Sequence, residues 1–173
     1  MHKLNTASLT ILFLLITTIL RGQEKDIELK KIGFKGINFI ATKEAILKSF
    51  GPGEKVATNY DCGFFTNDQE GGPYYQLVYA NFNYIGSDTE EFYLENVTFD
   101  LEGKTIVYYG NSRLSGKTTV GDFVKVFGNR AKEYFEKYPA EDSILLFSKS
   151  SDDGAIFTFK AGRLFKFEYW TPC

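Results

Sequence analysis

Two stretches of the chain carry apolar residues at helical spacing. From Thr119, the residues Val120, Phe123, Val124 and Phe127 recur at i, i+3, i+4 and i+7, which lines one side of a helix. Thr119 suits the N-cap, because its hydroxyl can accept a free N–H of the first turn. Gly128 suits the left-handed residue that closes a helix. The other stretch lies 77 residues earlier: TKEAILKSFG, Thr42 to Gly51, stands against TVGDFVKVFG, Thr119 to Gly128. There Thr42 and Gly51 take the capping places, and Pro52 blocks continuation. A further helix is expected after Gly128 from Ala131, Tyr134, Phe135 and Tyr138, ended by Pro139. Its counterpart in the first half is a weak pattern around Val56 to Tyr60.

Elsewhere the period is two. Phe157 and Phe159 alternate with Thr158 and Lys160, and Phe165, Phe167 and Tyr169 alternate with Lys166 and Glu168. That pattern predicts strands with one wet face. Ala161-Gly162 is the expected hairpin turn, and Ser143–Ser150 is expected to pair ahead of it across Asp152-Asp153-Gly154. In the first half the expected strands are Tyr74–Ala80, Phe82–Ile85, Phe92–Asp100 and Thr105–Tyr109. Short turns between them imply antiparallel pairing.

The echo extends beyond the helices. Gly33 and Ile37 match Gly110 and Leu114 at the same offset, and Val97 to Lys104 resembles Phe157 to Arg163 at an offset near 60. The first copy therefore carries extra residues, rich in Gly, Asn and Tyr, between 60 and 90. The expected fold class is α+β: two tandem repeats of short helices packed on one face of an antiparallel sheet. The expected division is a signal peptide over 1–22, a first repeat with a Tyr-rich insertion over 23–103, and a second repeat over 104–173, in one compact unit.

The order helix, Phe50-Gly51-Pro52, aromatic strands, then Asp100-Leu101-Glu102-Gly103-Lys104 resembles the SmpA/OmlA group of small envelope proteins. A tandem arrangement with this period is similar to the β-lactamase inhibitory protein fold. The resemblance implies an exported, non-enzymatic module that binds other proteins through its sheet or loops.

Lys3 precedes an unbroken apolar and hydroxyl run of 12 residues, Leu9 to Leu20. That is shorter than the ~20 residues needed to span a bilayer and fits the core of a secretory signal, with a cut after Gly22. Export to the periplasm or the extracellular space is expected, with no stable membrane span after cleavage. No Cys stands at the cut to take a lipid. Without residues 1–22 the chain holds 18 basic and 22 acidic residues, and no basic block offers phosphates a face, so no nucleic-acid partner is expected. Two cysteines in an exported chain, Cys62 and Cys173, form a candidate disulfide.

The chain's 1 histidine, His2, falls in the leader. The remaining sequence therefore lacks an imidazole for Ser-His-Asp or Cys-His catalysis, and two cysteines do not fill a zinc shell. No catalytic, cofactor or metal residues are assigned. Gly110 to Thr118 imitates a phosphate loop but places five residues between its glycines where four are needed. Glu90-Glu91 and Asp152-Asp153 are adjacent acids, and neighbours in a strand face opposite ways. Asn67 to Glu70 lacks calcium-loop spacing, and the sequon Asn96-Val97-Thr98 falls in an expected strand. The positive signal is aromatic: Phe, Trp and Tyr make up 17% of the chain. Tyr74, Tyr75, Tyr79, Tyr84 and Tyr93 crowd the insertion and its strands, and Tyr is enriched at protein interfaces. The expected function is an exported, non-catalytic protein-binding module. Its contact is expected through those tyrosines and the loop Asn67–Pro73, and its partner is another envelope or secreted protein. The alternatives are a small carboxylate-dependent hydrolase and a periplasmic immunity or inhibitor protein.

Overall fold

The computed structural model describes residues 27–67 and 69–173, so the leader expected over 1–22 lies outside the described residues. A mixed α+β architecture is observed, with mostly antiparallel sheet and three α-helices among the described residues. Strands β1 (Ile32–Phe34) and β2 (Ile37–Asn38) form a hairpin, and β3 (Ile40–Ala41) leads into helix α1 (Lys43–Phe50). Strands β4 (Glu54–Ala57), β5 (Tyr75–Val78), β6 (Phe82–Gly86) and β7 (Phe92–Thr98) follow. A second hairpin, β8 (Ile106–Tyr109) and β9 (Ser112–Ser115), precedes helices α2 (Val120–Phe127) and α3 (Asn129–Lys137). The chain ends in β10 (Ser143–Phe147), β11 (Gly154–Lys160) and β12 (Arg163–Trp170).

The hairpins join into a four-stranded sheet, β2-β1-β8-β9, and the remaining strands make an eight-stranded sheet, β10-β11-β12-β7-β6-β5-β4, with β3 also on β7. Both sheets thus draw strands from before and after residue 103. The larger one carries a row of cross-strand partners: Phe82 opposite Val97, Val97 opposite Phe167, Phe167 opposite Phe157 and Phe157 opposite Ile144. Each is buried. The Phe50 ring of α1 lies 4.9 Å from Phe82, and the Phe123 ring of α2 lies 4.9 Å from Phe157. The helices therefore pack toward opposite halves of one row, where burying each such ring stabilises by about 2–3 kcal/mol.

The predicted helices form with the predicted caps. Thr42 Oγ1 accepts from Ala45 N and Thr119 Oγ1 from Asp122 N, while Gly51 and Gly128 end the helices at φ 76° and 73°. Four details differ from the sequence reading. Val56 lies in β4, an exposed edge strand, and not in a helix; the following residues to Tyr60 have no helical turn. The Asp100–Lys104 turn is no hairpin, because β7 and β8 belong to different sheets. Its Asp100 carboxylate accepts from Lys104 N and Thr105 N, which turns the chain out of the larger sheet. Gly33 lies inside β1 and Gly110 at the turn between β8 and β9, so the two glycines do not correspond locally. Finally, the register slips between Thr158 and Phe159. Leu164 and Phe167 then point into the core, and Phe165 is left outside the alternation under the Lys160 ammonium, 3.5 Å from its ring centre.

Candidate functional site

The larger sheet forks. Strand β7 has β6 along one edge, and along the other it has β12 at Asn96–Thr98 and β3 at Phe92–Tyr93. Where β3 and β12 part, aromatic rings replace backbone pairing. Tyr93 and Tyr169 stack with centroids 5.7 Å apart, and the Phe39 ring meets Tyr169 at 5.1 Å.

The segment between β4 and β5 covers this fork. The described residues between Thr58 and Pro73 form a strap without regular structure, held by its own polar groups. Buried Thr58 sets its hydroxyl 3.2 Å from Tyr74 O, and Asn67 donates to Thr58 O at 3.1 Å while accepting from Tyr74 N at 3.2 Å. Phe65 is buried against Tyr74 and Ile85, beside Tyr93 and Tyr169, as a small second core. A disulfide between Cys62 and Cys173 ties the strap to the C-terminal residues.

Between strap, fork and C-terminus lies a cavity of about 600 Å³. The stacked tyrosines, Ile40 and the half-exposed Phe64 give it an aromatic and aliphatic lining, and Pro172 adds a wall. The turn from β10 to β11 supplies Asp152 and Asp153. Asp153 accepts from the Tyr169 hydroxyl at 2.7 Å and from Ser151, whereas Asp152 is exposed and has no hydrogen-bond partner among the described residues. Burial pushes the Tyr93 hydroxyl above the usual phenol range, and the negative charges of Glu91, Glu90 and Asp153 push it further. Burial, reinforced by the bond to Asp153, does the same to Tyr169. Both rings therefore stay neutral near pH 7. A second cavity of about 300 Å³ adjoins the first through Ile40, Tyr93 and Asp153, and brings in Lys30 and Lys149.

Of the five tyrosines singled out in the sequence, Tyr93 alone lines this cavity. Tyr74, Tyr75 and Tyr84 are buried at 2%, 3% and 0% exposure, so they offer a partner no surface. Their hydroxyls explain how the first two can sit inside: Tyr74 donates to Glu90 at 2.8 Å and Tyr75 to Asp88 at 2.7 Å. Tyr84 is enclosed with its hydroxyl unpaired. Tyr79 stacks on Phe82 at 4.5 Å and donates to Gly51 O, closing the end of α1. Tyr74, Tyr75 and Tyr84 serve the interior, while Tyr79 is partly buried and lines a separate cavity beside Lys35 and Phe82. The loop Asn67–Pro73 spends its Asn67 side chain on the strap itself, and Asp68 lies outside the described residues.

The remaining sequence features resolve into structure. In the phosphate-loop imitation, Gly110 turns a hairpin, and a Cβ on Gly116 would come within 2.0 Å of the Asp100 carbonyl oxygen. Among the described residues no group of three or more His, Cys, Asp or Glu is placed to hold a metal ion. No helix among them is long and apolar enough to cross a membrane. One buried acid escaped the sequence reading. Glu95 is 9% exposed, at a register slip in β7, and accepts hydrogen bonds from Tyr60 and Asn83. Burial raises its pKa against the lowering effect of Tyr60, Gln76 and Asn83.

Phe64, Ile40, Tyr169 and Pro172 were likewise missed. The one available signal was the cysteine pair, since joining Cys62 to Cys173 brings the strap beside the residues that follow β12. The chain matches no family model, no curated protein and no solved structure with which it was compared.

Proposed function

We propose that this chain is an exported, non-catalytic module that binds another envelope or secreted protein, and that the contact is the groove between strap, fork and C-terminus. The observation that carries this reading is the open cavity of about 600 Å³ with an aromatic lining at the fork of the larger sheet, braced by a disulfide. Concave sites with an apolar lining and few polar groups are where proteins take ligands. The disulfide supports export, because such bonds persist in oxidising compartments. A carboxylate hydrolase would need two acids facing each other across a cleft. The acids on this cavity are sequence neighbours, and Asp153 is engaged by Tyr169 and Ser151, which favours recognition over chemistry.

We also infer a duplicated unit with its helices on one face of the sheet. In the larger sheet β12 and β7, each the last strand of its own meander, meet at the middle, and in the smaller sheet β1 and β8 do the same. The two helix caps are built alike.

The test uses exposed residues. Phe64→Ala and Asp152→Lys should keep the fold by circular dichroism and lose a partner that the unaltered chain retains from the secreted fraction. Equal capture by these variants would remove the groove as the contact.

A further inference from the structure

We propose that the groove recognises a cation, an arginine side chain carried by the partner, whose guanidinium lies against the tyrosine rings with the Asp152 and Asp153 carboxylates beside it. This rests on reading the groove as a protein-binding site.

Three observations carry it. The first is charge. The ionisable side chains lining the larger cavity are Asp152, Asp153 and the phenols of Tyr93 and Tyr169, and no lysine or arginine lines it among the described residues. Glu90 and Glu91 extend the same negative field to Tyr93. The second is aromatic surface. Tyr93, Tyr169 and Phe64 line the cavity, and the faces of such rings attract cations. The third is the distribution of positive charge. Lys30 and Lys149 line the adjoining smaller cavity, where Lys149 also lies 3.9 Å from Glu28. Glu28 and Asp153 line that smaller cavity too and offset its lysines, whereas at the Asp152 end the acids have no basic neighbour in the lining, so a cation is favoured there.

Arginine fits better than lysine. Its flat guanidinium stacks on rings, forks to a carboxylate and sheds water more readily than an ammonium. Asp153 is already shared with Tyr169 and Ser151, so Asp152 is the carboxylate left to complete the site.

The experiment titrates the disulfide-bonded chain with capped pentapeptides, Gly-Gly-Xaa-Gly-Gly, where Xaa is arginine, lysine, citrulline or leucine, by calorimetry or by aromatic proton shifts. The arginine peptide should bind, and neutral citrulline, of nearly the same shape, should bind about tenfold more weakly. Asp152→Asn, an exposed change that leaves the core untouched, should weaken arginine without altering citrulline. Citrulline or leucine binding as well as arginine, an Asp152→Asn chain that keeps full arginine affinity, or no binding of the arginine peptide would each overturn the proposal. The two readings fail separately. Partner capture that still depends on Phe64 while arginine does not bind leaves the groove as the contact. Arginine binding with capture indifferent to Phe64 keeps the cation site and removes the groove as the partner's contact.

Discussion

The rings of Tyr93 and Tyr169 lie within 9° of parallel at 5.7 Å, one on β7 and the other on β12, at the point where those strands cease to be neighbours. The pair is a consequence of the fork. Backbone hydrogen bonds join β12 to β7 only as far as Asn96 and Glu168, after which β3 takes the edge at Tyr93. Side chains must fill the wedge, and large rings do so with one flank packed and the other free. The groove is thus built into the topology of the sheet, and the strap only roofs it.

The disulfide should act on the roof more than on the sheets. Cys62 and Cys173 lie 111 residues apart, and closing so long a loop lowers unfolded-state entropy by roughly 4–5 kcal/mol in the chain-entropy model. Cys62→Ser with Cys173→Ser should lower the unfolding free energy measured by urea titration by up to that amount and expose the strap to limited proteolysis between Thr58 and Pro73. A double variant as resistant to protease as the unaltered chain would contradict this bracing role.

Core position and surface position should separate cleanly in a pair of substitutions. Phe123 is fully buried between Phe127, Phe157 and Phe159, with ring distances of 4.4, 4.9 and 5.3 Å. Its truncation to alanine should cost roughly 3–5 kcal/mol. Leu101 is as apolar but 75% exposed, and Leu101→Ser should stay within about 0.5 kcal/mol of neutral. Denaturant titration of both reads the contrast directly.

What the sequence made legible follows from the range of the forces involved. Helix stripes and caps are local, so α1, α2 and α3 could be placed from Phe50, Phe123 and Ala131 with the residues around them. Meander strands follow from alternation and turns, as at Ala161-Gly162, where positive φ values of 49° and 72° form the expected turn. The short strands β1, β2, β3 and β9 carry too few residues to establish a period, and β4 is exposed throughout. Their pairing depends on partners far along the chain. The burial of Tyr74, Tyr75 and Tyr84 was not legible for a related reason. Composition gives a phenol's preference for an interface, but Glu90, Asp88 and the Gly51 carbonyl satisfy those hydroxyls inside the protein. Register slips at Glu95 and Phe165, which redirect side chains by one residue, leave no signal in an alternating pattern.

Gly116 should resist a methyl group, although its backbone is not in the left-handed region. A Cβ there would meet the Asp100 carbonyl oxygen at 2.0 Å and its carbon at 2.7 Å. That carbonyl is not free to retreat, because the Asp100 side chain is anchored to Lys104 N and Thr105 N. Gly116→Ala should therefore cost roughly 1–3 kcal/mol. Gly110→Ala, at φ 56° with open space around it, should cost about 1 kcal/mol. Equal effects at both would mean that the turn yields at Asp100. The ranking also distinguishes a close backbone approach from a phosphate cradle, which would leave Gly116 tolerant in the absence of ligand.

Glu95 should give the protein a stability that declines as pH rises. Its carboxyl is buried, which raises its pKa above the ordinary value of 4.5. Between 4.5 and the raised folded value the native chain binds more protons than the unfolded chain. Stability therefore falls as pH climbs through that interval and is fully retained below it. Asp88 and Asp122 work in the opposite sense: hydrogen bonds from Lys43 and Lys125 hold them at about 2, so their contribution is lost as pH falls from 3.8 toward that value. The optimum should lie at mildly acidic pH. Glu95→Gln removes the charge that burial opposes. Its amide can still accept from Tyr60, and after a turn of the Asn83 amide it can donate to Asn83 Oδ1, a buried acceptor with no donor in the native arrangement. The variant should gain on the order of 1 kcal/mol at neutral pH. Its urea midpoint should run flat as pH rises above 4.5, where the unaltered chain declines. The same decline in both chains would assign the pH dependence to another group and leave Glu95 ionised without cost.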